Sequence, residues 1–122
     1  YQHGEIIRTY PVATGKDSWR TPEGTFPIIV KFINPGWKEI VGGAPENPLG
    51  SRWNGLQVNG DNGRTYGIHG TNNDQSIGTY ASNGCIRMYN ADVIELYDLV
   101  PIGTPVWIHS GYSDGTWRGD SY

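Results

Sequence analysis

Cys85 is the single cysteine of this 122-residue chain, and His69 stands sixteen positions before it. Cys85 lies in Ser82-Asn83-Gly84-Cys85-Ile86-Arg87-Met88, and His69 in Tyr66-Gly67-Ile68-His69-Gly70-Thr71. A thiol is a weak nucleophile until it loses its proton, and a nearby imidazole supplies both a base and a compensating charge. A histidine at the end of a strand and a cysteine in a glycine-containing turn can face each other across a cleft. Gly84 permits a tight turn and close approach of a substrate to the backbone. The amides of Asn83, Gly84 and Cys85 would then point at the oxyanion formed when Cys85 attacks a carbonyl. A thiol activated in this way reacts with alkylating probes faster than free cysteine at slightly acidic pH. Each residue also has a plainer reading. A lone cysteine is more often a small buried hydrophobe, a lone histidine a satisfied structural residue, and an arginine such as Arg87 a surface charge.

Such a pair needs a scaffold, and the scaffold reads as mostly β. Residues 5–11 (EIIRTYP), 26–33 (FPIIVKFI), 65–69 (TYGIH) and 105–109 (PVWIH) are rich in β-branched and aromatic residues between turn formers, with 56–59 (LQVN) a weaker fifth strand. Turns are expected at 21–24 (TPEG), 34–36 (NPG), 42–50 (GGAPENPLG) and 59–63 (NGDNG). The last reads as a hairpin loop joining 56–59 to 65–69. One helix is expected after Asn90 as its cap, with Asp92 in the first turn and Val93, Leu96, Tyr97 and Val100 as its apolar stripe. Pro101 stops it, and Gly103 turns the chain into the last strand. Its positive end would add modestly to oxyanion binding if it lay behind the cysteine turn. Residues 109–122 show no periodicity and read as a surface extension.

Composition narrows the function. The length suits one domain, 1–122, able to bury a core without disulfides or a metal. Glycine (18) and proline (8) are plentiful while charged residues make up 17%, which favours turns and short strands over a helical bundle. A net charge of −3 with scattered Lys and Arg argues against nucleic acid as partner. No stretch has the apolar length of a membrane span or the pattern of a signal peptide. One cysteine excludes an internal disulfide. His3 and His109 show no metal-ligand spacing and read as bystanders, so neither metal nor cofactor is implied.

The string HGTNNDQSIG…SNGCIRM followed by NADVIELYDLVPIGTPVWI resembles the catalytic heart of the YkuD-type L,D-transpeptidases. Upstream, YPVATGK, TPEGTFPI and NPLGSRW match in the same order, so the resemblance runs from about residue 5 to 108. It implies a YkuD-type β-sandwich with one short helix beside the active site, its catalytic core over 5–108 and an extension over 109–122. The strand with which such domains open is not among these residues. An unfilled place for it would leave a sheet edge open to pairing, including strand exchange between copies. Many members carry a histidine where this chain has Asn83, which puts any substrate contact of that second imidazole in doubt.

The resemblance further implies a peptidoglycan enzyme of the cell envelope, in the periplasm or at an extracellular cell wall, serving cell wall biogenesis and cell shape. Cys85 would attack the third-residue carbonyl of a stem tetrapeptide and release D-Ala, forming an acyl-enzyme. A diamino acid side-chain amine would then take the acyl group in a 3→3 cross-link. His69 would be the acid–base, its other nitrogen fixed by a carbonyl near Gly70. Arg87 either binds a substrate carboxylate or braces the loop. Ser82 and Thr71 bind substrate or hold their turns, the second being the commoner use. Tyr66 and Trp53 line the groove or fill the core. Rival readings are an L,D-carboxypeptidase or amidase using water, a catalytically silent wall-binding module, and a host-directed variant of the fold.

Overall fold

The computed structural model describes residues 1–16, 20–110 and 117. Seven strands and one helix follow in the order β1 (Val12–Gly15), β2 (Gly24–Ile33), β3 (Arg52–Leu56), β4 (Tyr66–His69), β5 (Tyr80–Ser82), β6 (Ile86–Met88), α1 (Asn90–Leu99) and β7 (Pro105–Ile108). A single 3-10 turn, Asp74–Ser76, interrupts the link from β4 to β5. The expected sandwich takes the form of one mixed sheet, ordered β5-β1-β6-β4-β3-β2-β7. It curls because the ten-residue β2 serves two neighbours. Its first half pairs with β7, its second with β3, and the register shifts between Ile28 and Val30. No described helix is long and apolar enough to cross a membrane.

The alternation of side chains along each strand gives the sheet two faces. Leu56 pairs with Tyr66 and Asn54 with Ile68, so these point to one face. There Leu56 packs with Ile28 and Val58, and Ile68 with Met88 and Val93 of α1, while Val106 of β7 touches both clusters. Trp53 pairs with His69 and Gly55 with Gly67, and these point the other way. Helix α1 therefore covers the core face and leaves the opposite face to the site. Its C-terminal carbonyls are closed from outside, by the Lys31 ammonium of β2 donating to Tyr97 and Val100.

Four sequence expectations shift. Residues 6–11 pair with no strand among the described residues, and Ile6 and Ile7 stay 50% and 41% exposed. The strand expected at 56–59 lies one turn earlier, at Arg52–Leu56. Past it, the Asp61 carboxylate accepts from the amides of Val58 and Gly63 (3.1 and 3.0 Å) and bends the chain. Asn90 is the first residue of α1, not its cap, since its side chain is used elsewhere. The extension expected over 109–122 lies, apart from His109, Ser110 and Trp117, outside the described residues.

Leu56, 1% exposed, closes one core cluster. Replacing it with alanine should lower unfolding stability by about 2–5 kcal/mol in a denaturant titration, as full burial in a packed core requires. A loss under about 1 kcal/mol would mean that the cluster is loosely packed.

Candidate active site

The site is built by two short strands that lie far apart in sequence order but side by side in the sheet. β4 and β6 run parallel, with Ile68 beside Ile86 and His69 beside Arg87. One step back in the same register puts Cys85 beside Gly67. Gly67, His69, Cys85 and Arg87 therefore share the face opposite α1, with Cys85 and His69 as diagonal neighbours. Such neighbours are roughly 7–8 Å apart, and somewhat closer at Cβ.

His69 is buried. Its Nδ1 lies 2.5 Å from the Gly70 carbonyl, which places the proton on Nδ1 and leaves Nε2 as the basic nitrogen. The expected orienting role of Gly70 thus falls to its carbonyl oxygen. Burial pushes the imidazole pKa from its ordinary 6.5 down to about 4; the Gly70 carbonyl opposes this, the Arg87 charge adds to it, and the Leu49 carbonyl opposes it. The Trp53 indole stacks on the ring at 5.6 Å and 17°. It lies across the backbone of Gly67, where a Cβ would come within 2.7 Å of it, and its Nε1 donates to the Gly63 carbonyl at 2.9 Å. Trp53 is therefore a wall of the site, and glycine at 67 is what lets it lie there.

The Cys85 sulfur is half-buried and donates to the Thr65 carbonyl at 3.4 Å. Burial pushes the thiol pKa up, against the Gly67 amide and the Arg87 charge, which both pull it down. The resting pair is thus neutral thiol and neutral imidazole, and the thiolate expected at slightly acidic pH is not favoured.

The cysteine turn is held by Ser82. Its hydroxyl donates to the Cys85 carbonyl (2.5 Å) and accepts from the Gly84 amide (3.2 Å). Ser82 is buried in this turn, and the Gly84 amide is engaged by its hydroxyl. Gly84 has φ +113°, and a Cβ there would strike the Tyr66 ring at 2.8 Å, so Tyr66 supports the turn from the core side. Thr71 is likewise buried, its hydroxyl accepting from the Asn73 amide at 3.0 Å in a local turn. Asn83 is exposed beside the cysteine. His109 follows β7 at the sheet's far edge, stacked on Trp107, and His3 lines a separate apolar cavity under Trp107. Among the described residues no three His, Cys, Asp or Glu side chains gather as a metal site.

Two asparagines that sequence reading did not assign to the site organise it. The Asn90 carboxamide oxygen accepts from the amides of Ser51 and Thr71 (3.2 Å each), and its nitrogen donates to the Thr71 carbonyl at 3.1 Å. Gly50 and Gly70 make room for it, since a Cβ on either would lie within 2.3 Å of that oxygen. Asn90 thereby fixes the backbone whose carbonyl orients His69. Asn47, 1% exposed, donates to the carbonyls of Pro35 (2.9 Å) and Val41 (3.2 Å) and accepts from the Leu49 amide (2.9 Å). It holds together the loop of residues 34–50. That loop, with Phe32, Trp53 and Arg64, forms a groove that opens onto Cys85. Asn47 reads in the sequence as one polar residue of a proline- and glycine-rich turn, and Asn90 as a helix cap, and neither reading points to the site.

The family pattern of L,D-transpeptidase catalytic domains (YkuD) matches residues 1–108. YqjB of Bacillus subtilis, provisionally named an L,D-transpeptidase, is 54% identical over 106 residues, covering 85% of this chain and 60% of that protein. YkuD of the same organism, named likewise, is 45% identical over 88% of this chain and 56% of its own length. The chain thus spans little more than half the length of these relatives. A solved L,D-transpeptidase from Mycobacterium smegmatis superposes with a TM-score of 0.65 at 25% identity, over 88% of this chain and 51% of that one. A cysteine-to-serine mutant of the Enterococcus faecium L,D-transpeptidase superposes equally well, TM-score 0.65 at 25% identity, over 89% and 44%.

The two depressed or raised acidities have measurable consequences. Below its ordinary pKa the unfolded His69 takes up a proton that the folded ring refuses down to about 4. The stability this residue contributes is therefore complete above pH 6.5 and is lost as pH falls towards 4, by about 3 kcal/mol. Denaturant unfolding from pH 7 to 4 should fall more steeply for the wild type than for His69→Gln by that amount; parallel curves would mean a solvated imidazole. Alkylation of Cys85 by iodoacetamide should be slower than that of free cysteine at pH 6 and should rise with pH through a midpoint above the ordinary thiol value. Faster reaction than free cysteine at pH 6 would instead reveal a thiolate–imidazolium pair.

Proposed function

The chain belongs to the YkuD family of L,D-transpeptidase catalytic domains, and from that premise we propose that it is a cysteine-dependent acyltransferase acting on peptidoglycan stem peptides. Residues 5–108 form its catalytic core, with 109–122 as an extension. The observation that carries the reading is the β4–β6 register, which sets a half-buried thiol and a buried neutral imidazole on one face at the end of a groove.

Cys85 is the nucleophile and His69 the acid–base. Because both groups rest neutral, the thiol proton passes to His69 as the sulfur attacks, after the sulfur turns from the Thr65 carbonyl towards Nε2. A catalytic hydrogen bond that tightens only with substrate bound is common. Attack falls on the third-residue carbonyl of a stem tetrapeptide. With the Gly84 amide bonded to Ser82, the oxyanion falls to the amides of Cys85 and Asn83. Collapse breaks the bond to D-Ala, whose amine leaves with the proton from His69, and a thioester remains on Cys85. A diamino acid side-chain amine then attacks, His69 takes its proton, and a 3→3 amide forms as the thiol is restored. Water in place of the amine gives L,D-carboxypeptidase action by the same residues. Arg87 lowers the cost of the developing thiolate, while Ser82, Thr71 and Tyr66 hold the turns that aim the two reacting groups. The neutral His69 has its Nε2 lone pair available to the thiol proton, while burial lowers its basicity. Action on such a substrate implies the cell envelope, in the periplasm or at an extracellular cell wall.

Cys85→Ala should abolish release of D-Ala from a disaccharide-tetrapeptide while leaving the unfolding transition in place. His69→Ala should slow it roughly 10²- to 10⁴-fold. Mass spectra of the products separate cross-linked dimer from bare tripeptide. Turnover retained without Cys85 would remove it as nucleophile.

A further inference from the structure

The groove that opens onto Cys85 carries cations and aromatic rings but no carboxylate. Its lining includes Phe32, Trp37, Lys38, Trp53 and Arg64, with Cys85 at its end. The Lys38 ammonium lies 4.4 Å from the centre of the Trp37 ring, and the Arg64 guanidinium 4.9 Å from that of Phe32. Among the described residues the ion pair found is Arg8–Glu95, so no carboxylate lies within salt-bridge distance of either groove cation, Glu39 beside Lys38 in the chain included. This charge runs against the chain as a whole, which is net −3.

The wall that presents Lys38 is a built one. Trp37 and Ile40 exchange two backbone hydrogen bonds (3.0 and 2.9 Å), closing a two-residue turn. Lys38 sits in it at φ +53°, a left-handed conformation that glycine adopts without strain and lysine does not. Buried Asn47 ties the loop down behind it. An aromatic face holds each cation in place and leaves its remaining N–H groups directed into solvent, where an anion can take them.

We propose that this groove is a carboxylate-reading subsite. Lys38 and Arg64 select acyl donors whose carboxylates flanking the scissile acyl group are free, in preference to donors in which they are amidated. The proposal rests on the acyl-transfer reading for its substrate but not for its charge. Arg64 offers a planar fork suited to a carboxylate, and Lys38 a compact point charge. An amide in the same place would leave both cations unpaired. Trp37, Phe32 and Trp53 supply the apolar walls along which the peptide stem lies.

Two tetrapeptide donors test it, identical except that the flanking carboxylates are free in one and amidated in the other, the terminal D-Ala carboxylate being kept in both. The free-acid donor should have a kcat/KM roughly 10-fold higher, carried in KM, with the preference reduced in Lys38→Gln and in Arg64→Gln and near one in the double variant. Glutamine at 38 keeps the backbone strain and removes only the charge. Equal use of the donors by the wild type, or a preference unchanged in the double variant, overturns the proposal. Binding of both peptides to Cys85→Ala protein, followed by tryptophan fluorescence at low and high salt, separates the two readings. Tighter, salt-weakened binding of the free acid supports the subsite even where neither donor is turned over, an outcome that would sink only the acyl-transfer reading. Equal binding of the two peptides sinks the subsite whatever the turnover.

Discussion

Two strands, Tyr66–His69 and Ile86–Met88, pair in parallel at only two positions, Ile68 with Ile86 and His69 with Arg87, and that register decides which side chains meet. Because side chains alternate, a slip of one residue would send His69 into the core and Ile68 to the groove. The register is held from the core side, where Ile68 and Met88 must pack against Val93, so burial of apolar surface selects the site geometry on the opposite face. The chemistry of one face is a by-product of packing on the other.

Around this pairing the structure uses glycine where bulk would intrude and asparagine where loops must be joined. Gly67 lets the Trp53 indole lie flat beside His69, and Gly50 and Gly70 receive the Asn90 carboxamide. Asn90 in turn fixes the Gly70 carbonyl, which sets the tautomer of the imidazole. The helix thus contributes to the site through its first residue's side chain. Burial does the electrostatic work: it keeps both the thiol and the imidazole neutral, while Arg87 opposes it at the sulfur and reinforces it at the ring.

Much was legible in the residues. β2, β4 and β7 announced themselves by β-branched runs between turn formers, and α1 by its apolar stripe and the proline after it. β1, β5 and β6 did not: β5 and β6 have three residues, too short to show a period, and β1, VATG, carries no aromatic and ends in glycine. Residues 5–11 misled for the opposite reason: β propensity is a preference for a pleated, half-buried surface, and no neighbouring strand is there to provide one. Ser82 and Thr71 were legible as hydroxyls near the motif, but only their partners assign them to turns.

The sequence by itself determined the family, the mostly-β class and the two residue types capable of acyl transfer, because ordered motifs and reactive side chains are local properties of a chain. It could not determine their protonation, their partners or their walls. The thiol's bond to Thr65, the depressed imidazole, the seat of Asn90 and the cationic groove of Lys38 and Arg64 all join residues distant in the chain. Those depend on desolvation and on close approach across the sheet, which exist only once the tertiary structure has formed.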